Sequence, residues 1–304
     1  MPESIAAICR IVWTPIALLC RFLFGKVREP IGSPAKMALG VASILVLIAA
    51  YAGLSHQRHK ENPRDTTIPN ASQFVEGWKK IVPKADFPGN ILERQQRKKY
   101  IESSWLISDF IATFKRLFAG LFIGVVISLI IGMAMGCLPR VEAFCLPTLS
   151  FLAKIPPTAM LAVYFVLLGT GFELFVGMIA FGVFPTLAQG IYQAAKKDVT
   201  DHAVNKSLTL GASQMEVIWN VVFQQVLPRV IENIRLQIGP AMVFLIAAEW
   251  LVADEGFGYR LRIQSRLLNM NVVYIYLIIL GVAGFFMDLF LSWSRRKLSP
   301  WFGE

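Results

Sequence analysis

The chain has 304 residues, of which 55% are hydrophobic and only 16% charged, with a formal net charge of +10. Soluble domains carry ~25% charged residues, and residues 117–138, 174–195 and 236–248 hold no charge at all, so the chain reads as an integral membrane protein rather than a soluble one. Its basic excess belongs to Lys and Arg flanking the spans and meeting lipid headgroups, and no aromatic–basic module accompanies it that would suit nucleic acid.

Residues 1–36 contain SIAAICRIVWTPIALLCRFLFG, an apolar run broken by Arg10, Pro15 and Arg21. No small-residue cleavage site follows, so this is not read as a signal peptide. An interfacial amphipathic helix is expected, with a seventh span as the alternative. Six spans are then expected, at roughly 37–54, 111–138, 144–168, 172–195, 234–253 and 270–292. Lone segments in lipid satisfy their backbone only as helices, so the fold class is all-α, a polytopic membrane helical bundle. The loop 55–109 contains TTIPNASQFVEGW, a turn before a short helix, and ILERQQRKKYIESSW, an amphipathic helix lying on the membrane before the second span.

The second span places Gly120, Gly124, Ser128, Gly132 and Gly136 at every fourth position. Small residues in that register make one flat stripe where another backbone can approach. In the third span, Lys154, Pro156 and Pro157 interrupt the run. The prolines remove two backbone donors, so a helix break or start is expected there. Glu249 is a carboxylate inside the apolar run of the fifth span, and it stands near that span's outer end. Intramembrane ionisable groups are functional candidates by default, so Glu249 joins Pro156 and Pro157 as pathway or gate candidates. After GFGY at 256–259, Arg260, Arg262 and Arg266 read as a solvated loop or a partner contact. Cys9, Cys20, Cys137 and Cys145 form neither CxxC nor metal spacing.

Residues 195–235 interrupt this apolar pattern with a polar, amphipathic stretch. Asp201 to Leu208 can form a short helix capped by Asp198, Thr200 or Asp201, and Gly211 permits a turn that a β-carbon would hinder. Arg295, Arg296 and Lys297 directly after the last span favour a cytoplasmic C-terminus. Counting back puts residues 195–235 and the N-terminus in the cytoplasm as well. The loop 55–109 is then external despite ten Lys/Arg against seven acids, because the charge rule is weak for so long a loop. There is no GxxxxGK[ST], HExxH or GxSxG and no acid–base carboxylate pair. The chain is therefore not expected to be an enzyme, and energy for active transport must come from a partner or an ion gradient.

LTLGASQMEVIWNVVFQQVLP resembles the cytoplasmic loop of binding-protein-dependent ABC importer permeases. In that family a short coupling helix precedes a glycine and fits a groove on the ATPase. The chain is most similar to the nitrate/sulfonate/taurine branch. LGAS at 210–213, IPP at 155–157, GTGFE at 169–173, Glu249 and GFGY at 256–259 occur in the family's order, over roughly residues 110–295. The pattern departs at Asn205, Lys206 and Ser207, which stand where the family has Glu and two small residues. It departs again at Phe223-Gln224, where an early Leu-Pro is usual; Leu227-Pro228 remains.

The resemblance implies a type I ABC importer permease fold, with residues 110–295 as the core and 296–304 as a cytoplasmic tail. It implies ATPase coupling through Asp201, Asn205, Lys206, Ser207, Leu210, Gly211, Ala212 and Ser213. ABC ATPase subunits would be partners, holding ATP and Mg, with no cofactor on this chain. An external solute-binding protein, a second permease copy in a homodimer, and membrane lipids complete the set, in a bacterial inner membrane. The implied cargo is a small anion or zwitterion of the nitrate, sulfonate, taurine or bicarbonate class. The competing reading is an ion-coupled secondary transporter or channel acting without an ATPase. Such proteins show repeated halves and several midplane polar groups, and no internal repeat is evident here.

Overall fold

The computed structural model describes residues 32–62, 65–81 and 105–302. The interfacial helices expected within 1–31 and 91–104 lie outside the described residues. The described residues form helices and turns without strand. The chain divides into two units, residues 1–63 and 64–304.

The first unit contributes α1, Ser33–Glu61. Pro34 sits in its first turn, where its missing N–H is no loss. Arg58, His59 and Lys60 close its last turn, where cations favour the helix dipole. It is long and apolar enough to cross a membrane.

The second unit opens with α2, Ala71–Ile81. Its N-terminus carries a reciprocal cap: Gln73 N donates to Asn70 Oδ1 and Asn70 N donates to Gln73 Oε1, both at 3.0 Å. There follow α3 (Trp105–Cys137), α4 (Pro139–Leu152), α5 (Leu161–Leu168), α6 (Phe172–Asp198) and α7 (Asp201–Thr209). Next come α8 (Gln214–Val252), α9 (Phe257–Arg266) and α10 (Met270–Leu298). Helix α2 lies on the start of α10. A Cβ on Gly77 would stand 3.1 Å from the Asn271 carbonyl, and Phe74 meets Tyr274 edge-on at 6.4 Å between ring centres.

Five helices among the described residues are long and apolar enough to cross a membrane: α1, α3, α6, α8 and α10. The expected span at 144–168 is not one helix. It divides into α4 and α5, separated by turns in which Ala159 N reaches the Pro156 carbonyl and Met160 N the Pro157 carbonyl. Pro156 and Pro157 offer no N–H to continue the α4 ladder, so the backbone changes to short-range turns.

Helix α6 is the most enclosed of the spans. Helix α3 runs parallel to it, and the contacts between them advance in step. Gly120 meets Ile179, Gly124 meets Ala180 and Val183, Gly132 meets Ala188 and Ile191, and Gly136 meets Ala195. Ser128 donates from Oγ to the Gly124 carbonyl and, at 3.1 Å, to the Phe184 carbonyl. All five positions of the small-residue stripe therefore face α6, and the two backbones approach without intervening side chains. Helix α8 packs antiparallel to α6, with Phe244 against Gly182 and Asn233 against Gly190. Its first turns, Val217–Val222, are wound as π-helix.

The seam makes a test. A Cβ on Gly132 would lie 2.7 Å from the Ala188 carbonyl oxygen, whereas one on Gly281 of α10 meets nothing within 4 Å. Gly132→Ala is expected to destabilise by about 1–3 kcal/mol through forced separation of the backbones. Gly281→Ala is expected to be neutral or stabilising by up to about 1 kcal/mol. Thermal unfolding of the two variants in detergent measures the contrast.

Candidate functional site

One end of the bundle carries the polar stretch as a helix, a glycine turn and a second capped helix. Helix α7 starts after Thr200, whose side chain makes no capping hydrogen bond. It ends at Gly211, which has φ +91°. Ala212 N donates to the Ser207 carbonyl at 3.2 Å and Gly211 N to the Leu208 carbonyl at 3.0 Å. These two bonds are the paired closures of a Schellman turn, which a glycine in the left-handed region permits.

Two residues later Ser213 begins α8 with a capping box. Glu216 N donates to Ser213 Oγ at 3.3 Å, and Ser213 N donates to Glu216 Oε2 at 2.8 Å. The Ser-x-x-Glu spacing is a legible sequence signal for this cap. The C-terminal cap of one helix and the N-terminal cap of the next thus lie within residues 210–216, and little backbone freedom is left between them.

No residue of α7 is buried. Asp201, Asn205 and Lys206 are exposed, Ser207 is half-buried with Oγ donating to the Ala203 carbonyl at 2.9 Å, and Ala212 is half-buried. Leu210 is 79% exposed and Met215 64%, beside exposed Leu208 and Trp219. An apolar crest on a polar stretch is the signature of a surface that meets a partner. Behind it lies a cleft of about 390 Å³ between the end of α3 and the start of α8, lined by Cys137, Lys196, Val204 and Val217 among others.

Ion pairs anchor this end. Lys196 Nζ reaches Glu142 Oε2 at 2.8 Å. That ammonium, joined by the Tyr192 hydroxyl, holds the Glu142 carboxyl below its ordinary range. Arg229 joins Asp198 at 3.3 Å and Glu232 at 3.2 Å, and Arg295 joins Glu232 at 3.6 Å.

The opposite end is closed by two buried carboxylates. Glu249 is fully buried. It accepts from Arg116 Nη1 at 2.9 Å, Thr113 Oγ1 at 3.0 Å and Gly258 N at 2.9 Å. GFGY folds back over it. Gly256 has φ +114°, and a Cβ there would stand 2.6 Å from Glu249 Oε1. Asp109, also fully buried, accepts from Gly256 N at 3.0 Å, Arg260 Nε at 2.8 Å and the Tyr276 hydroxyl at 2.8 Å.

Residues 257–266 are helix α9 rather than a solvated loop. Arg260 and Arg262 turn inward because carboxylate and backbone acceptors are within reach, while Arg266 is exposed. Arg262 donates to the Leu251 and Ala253 carbonyls, and Arg260 lies over the Trp105 ring at 4.5 Å. Burial works against the Arg260 charge, yet the Asp109 carboxylate holds the guanidinium above its ordinary value. Asp109, Thr113, Arg116 and Tyr276 were not singled out in the sequence. Asp109 and Arg116 sit beside an apolar run that looked like an ordinary charged flank.

Pro156 and Pro157 lie between these ends. Pro157 stands 3.1 Å from where a Cβ on Gly182 would be. The coupling residues, the prolines and Glu249 thus occupy three separate levels. Among the described residues no group of three or more His, Cys, Asp or Glu could hold a metal ion.

This architecture of parallel α3 and α6, a broken crossing between them and a capped loop before α8 can be set against known proteins. The model of the family described as binding-protein-dependent transport system inner membrane component matches residues 110–300. The chain belongs to this family. The matched segment runs from within α3 to just past the end of α10.

Among similar members, the taurine transport system permease protein TauC of Escherichia coli (strain K12) is 28% identical over 171 residues, 56% of this chain and 62% of TauC. The chain thus matches less than two thirds of that relative's length. A probable ABC transporter permease protein of Brucella melitensis biotype 1 is 26% identical over 214 residues, 70% of this chain and 86% of the relative. The methionine ABC transporter MetNI, solved in inward-facing conformations, shares the fold. Its TM-score is 0.58 at 16% identity, covering 68% of this chain and 99% of the compared one. With these relatives, the apolar helices make the chain a multi-pass membrane protein of a transport-permease family.

Each end generates a prediction. A Cβ on Gly211 meets nothing within 4 Å, so Gly211→Ala carries only the cost of its positive φ, about 1–2 kcal/mol. Amide exchange at residues 211 and 212 is expected to quicken by roughly tenfold, and less in Gly211→Asn, because Asn tolerates this conformation. At the other end, Arg116→Met strands the buried Glu249 charge. Thermal unfolding is expected to show a loss of about 3–5 kcal/mol, against about 1.5–3 kcal/mol for Tyr276→Phe, which removes one hydrogen bond to a buried carboxylate.

Proposed function

We propose that this chain is the membrane-spanning permease subunit of an ATP-driven importer for a small anion or zwitterion. The observation that carries the reading is the doubly capped turn at 210–216, with its exposed apolar crest, in a chain of this family. A helix held by a Schellman turn and a capping box passes a displacement onward, where a flexible loop would absorb it. An ATPase subunit docks there, on Asp201, Asn205, Lys206, Ser207 and residues 210–213. The exposed Asn205 and Lys206 in place of the family's acidic and small residues make that contact particular to its own ATPase.

The loop end faces the cytoplasm. Lys196, Lys197, Lys206, Arg229, Arg295, Arg296 and Lys297 gather at that end, as basic residues do on the cytoplasmic side. Two copies of the chain enclose the pathway, and an external binding protein delivers solute to the end closed by Asp109 and Glu249. ATP binding draws the two ATPases together, both α7 helices follow, and the bundle opens outward; product release resets it. ATP and Mg stay on the ATPase chain. Taurine, sulfonates, nitrate and bicarbonate fit the cargo class, TauC being named for taurine. Transport without an ATPase would leave the exposed crest at Leu210 and Met215 without a use.

Purification from native membranes is expected to bring down a nucleotide-binding subunit, and Gly211→Pro is expected to lower its transport-stimulated ATPase activity at least tenfold. The reading fails if no such subunit accompanies the chain and ATPase activity is indifferent to changes at Gly211.

A further inference from the structure

Lys154 stands at mid-depth in the bundle without a partner. Leu149 packs with Ala188 and Met135, and Pro157 abuts Gly182. Lys154 lies between Leu149 and Pro157 in the chain, so it is level with residues 182–188, the middle of the 27-residue α6. Three cations along the spans have carboxylate partners: Arg116 has Glu249, Lys196 has Glu142 and Arg235 has Asp288, while Lys115, near the carboxylate end of α3, lies over the Phe172 ring. Among the described residues Lys154 is exposed and forms neither an ion pair nor a side-chain hydrogen bond.

A second polar feature sits at the same level. Thr186 follows Gly182 by one helical turn and so shares its face of α6. Its Oγ1 lies 3.1 Å from the Val183 carbonyl of its own helix and 3.3 Å from Gln237 Oε1 of α8, sharing one proton between the two acceptors, and Thr186 is exposed. Many exposed side chains elsewhere along the spans are apolar, such as Phe118, Phe122, Ile130 and Leu289. Gly239 and Pro240, beside Gln237, are exposed as well.

A charged side chain facing hydrocarbon is costly. Irregular backbone at membrane depth is tolerated only inside protein or along a water-filled cavity. The helix break, the unpaired ammonium and the hydroxyl–amide pair meet both conditions only if they line water. We propose that Lys154, Thr186 and Gln237 form a mid-membrane selectivity site for a small anion, or for the anionic group of a zwitterion. The ammonium draws the anion to this level, while hydroxyl and amide replace part of its hydration. Lysine is a hydrated point charge without the fork of arginine, so it attracts the anion without clamping it, and passage requires release as well as entry.

The proposal rests on the permease reading only for the solute's role; the local field is measurable without any ATPase. The test uses the full chain in membranes open on both sides, with Cys9, Cys20, Cys137 and Cys145 replaced by serine and Thr186→Cys as reporter. The probes are an anionic sulfonatoethyl and a cationic trimethylammonioethyl methanethiosulfonate. The reporter is expected to react, and to favour the anionic probe. Lys154→Gln is expected to cut that preference about tenfold, while Lys154→Arg keeps it. Phe122→Cys, on the lipid face, is expected to stay unreactive. If Lys154→Gln does not accumulate, Lys154→Met takes its place. An unreactive reporter overturns the site, as does a preference unchanged by loss of the charge. A preserved field without ATPase coupling would sink the permease reading and leave this site standing.

Discussion

In hydrocarbon two helices gain nothing from hiding apolar surface from water, so close contact must come from dispersion and from backbone approaching backbone. Helices α3 and α6 meet this constraint along Gly120, Gly124, Ser128, Gly132 and Gly136. Because the two run parallel, the chain leaves α3 at the loop end and must recross the bundle before α6 can begin. Helices α4 and α5 make that crossing, and the proline turns between them lie against Gly182, where α6 and α8 also meet. The broken helix thus follows from the parallel seam and the position of Pro156 and Pro157 together.

The two ends are held by different physics. At the loop end the bonds are backbone caps and half-exposed ion pairs, which contribute modestly each and are screened by salt. At the other end Asp109 and Glu249 are fully buried, and each accepts several hydrogen bonds. Buried pairs of this kind add little net stability but cost a great deal to break. They fix one arrangement of α3, α8, α9 and α10, and Phe257 fills the space between, edge-on to Tyr276 at 5.1 Å. One end is therefore adaptable at its surface, and the other is determined from within.

The sequence carried the spans well, since a charge-free run of that length has few other uses. It also carried the loop, because Gly211 and the polar composition act locally. The capping box at Ser213 and Glu216 was equally local and was there to be read. The carboxylate end was not legible. Asp109 lies 147 residues from Gly256 and 151 from Arg260, and Thr113 lies 136 from Glu249. Nothing in local pattern announces such pairs. Of the arginines after GFGY, Arg266 is exposed as its charge suggests, whereas Arg260 and Arg262 meet a carboxylate and backbone carbonyls brought in by the fold.

Helix α8 is 39 residues long. At 1.5 Å per residue that is ~58 Å, more than the ~40–45 Å of a bilayer with its headgroups. It begins at the cap that follows the Gly211 turn and carries Glu249 near its far end. The π-helical turns at Val217–Val222 and the prolines Pro228 and Pro240 are the places where it can flex. The same covalent rod is therefore handle at one side of the membrane and bolt at the other. A sideways shift of ~3 Å at its base tilts it by about 3°, and buried partners fitted to one angle feel that tilt at once.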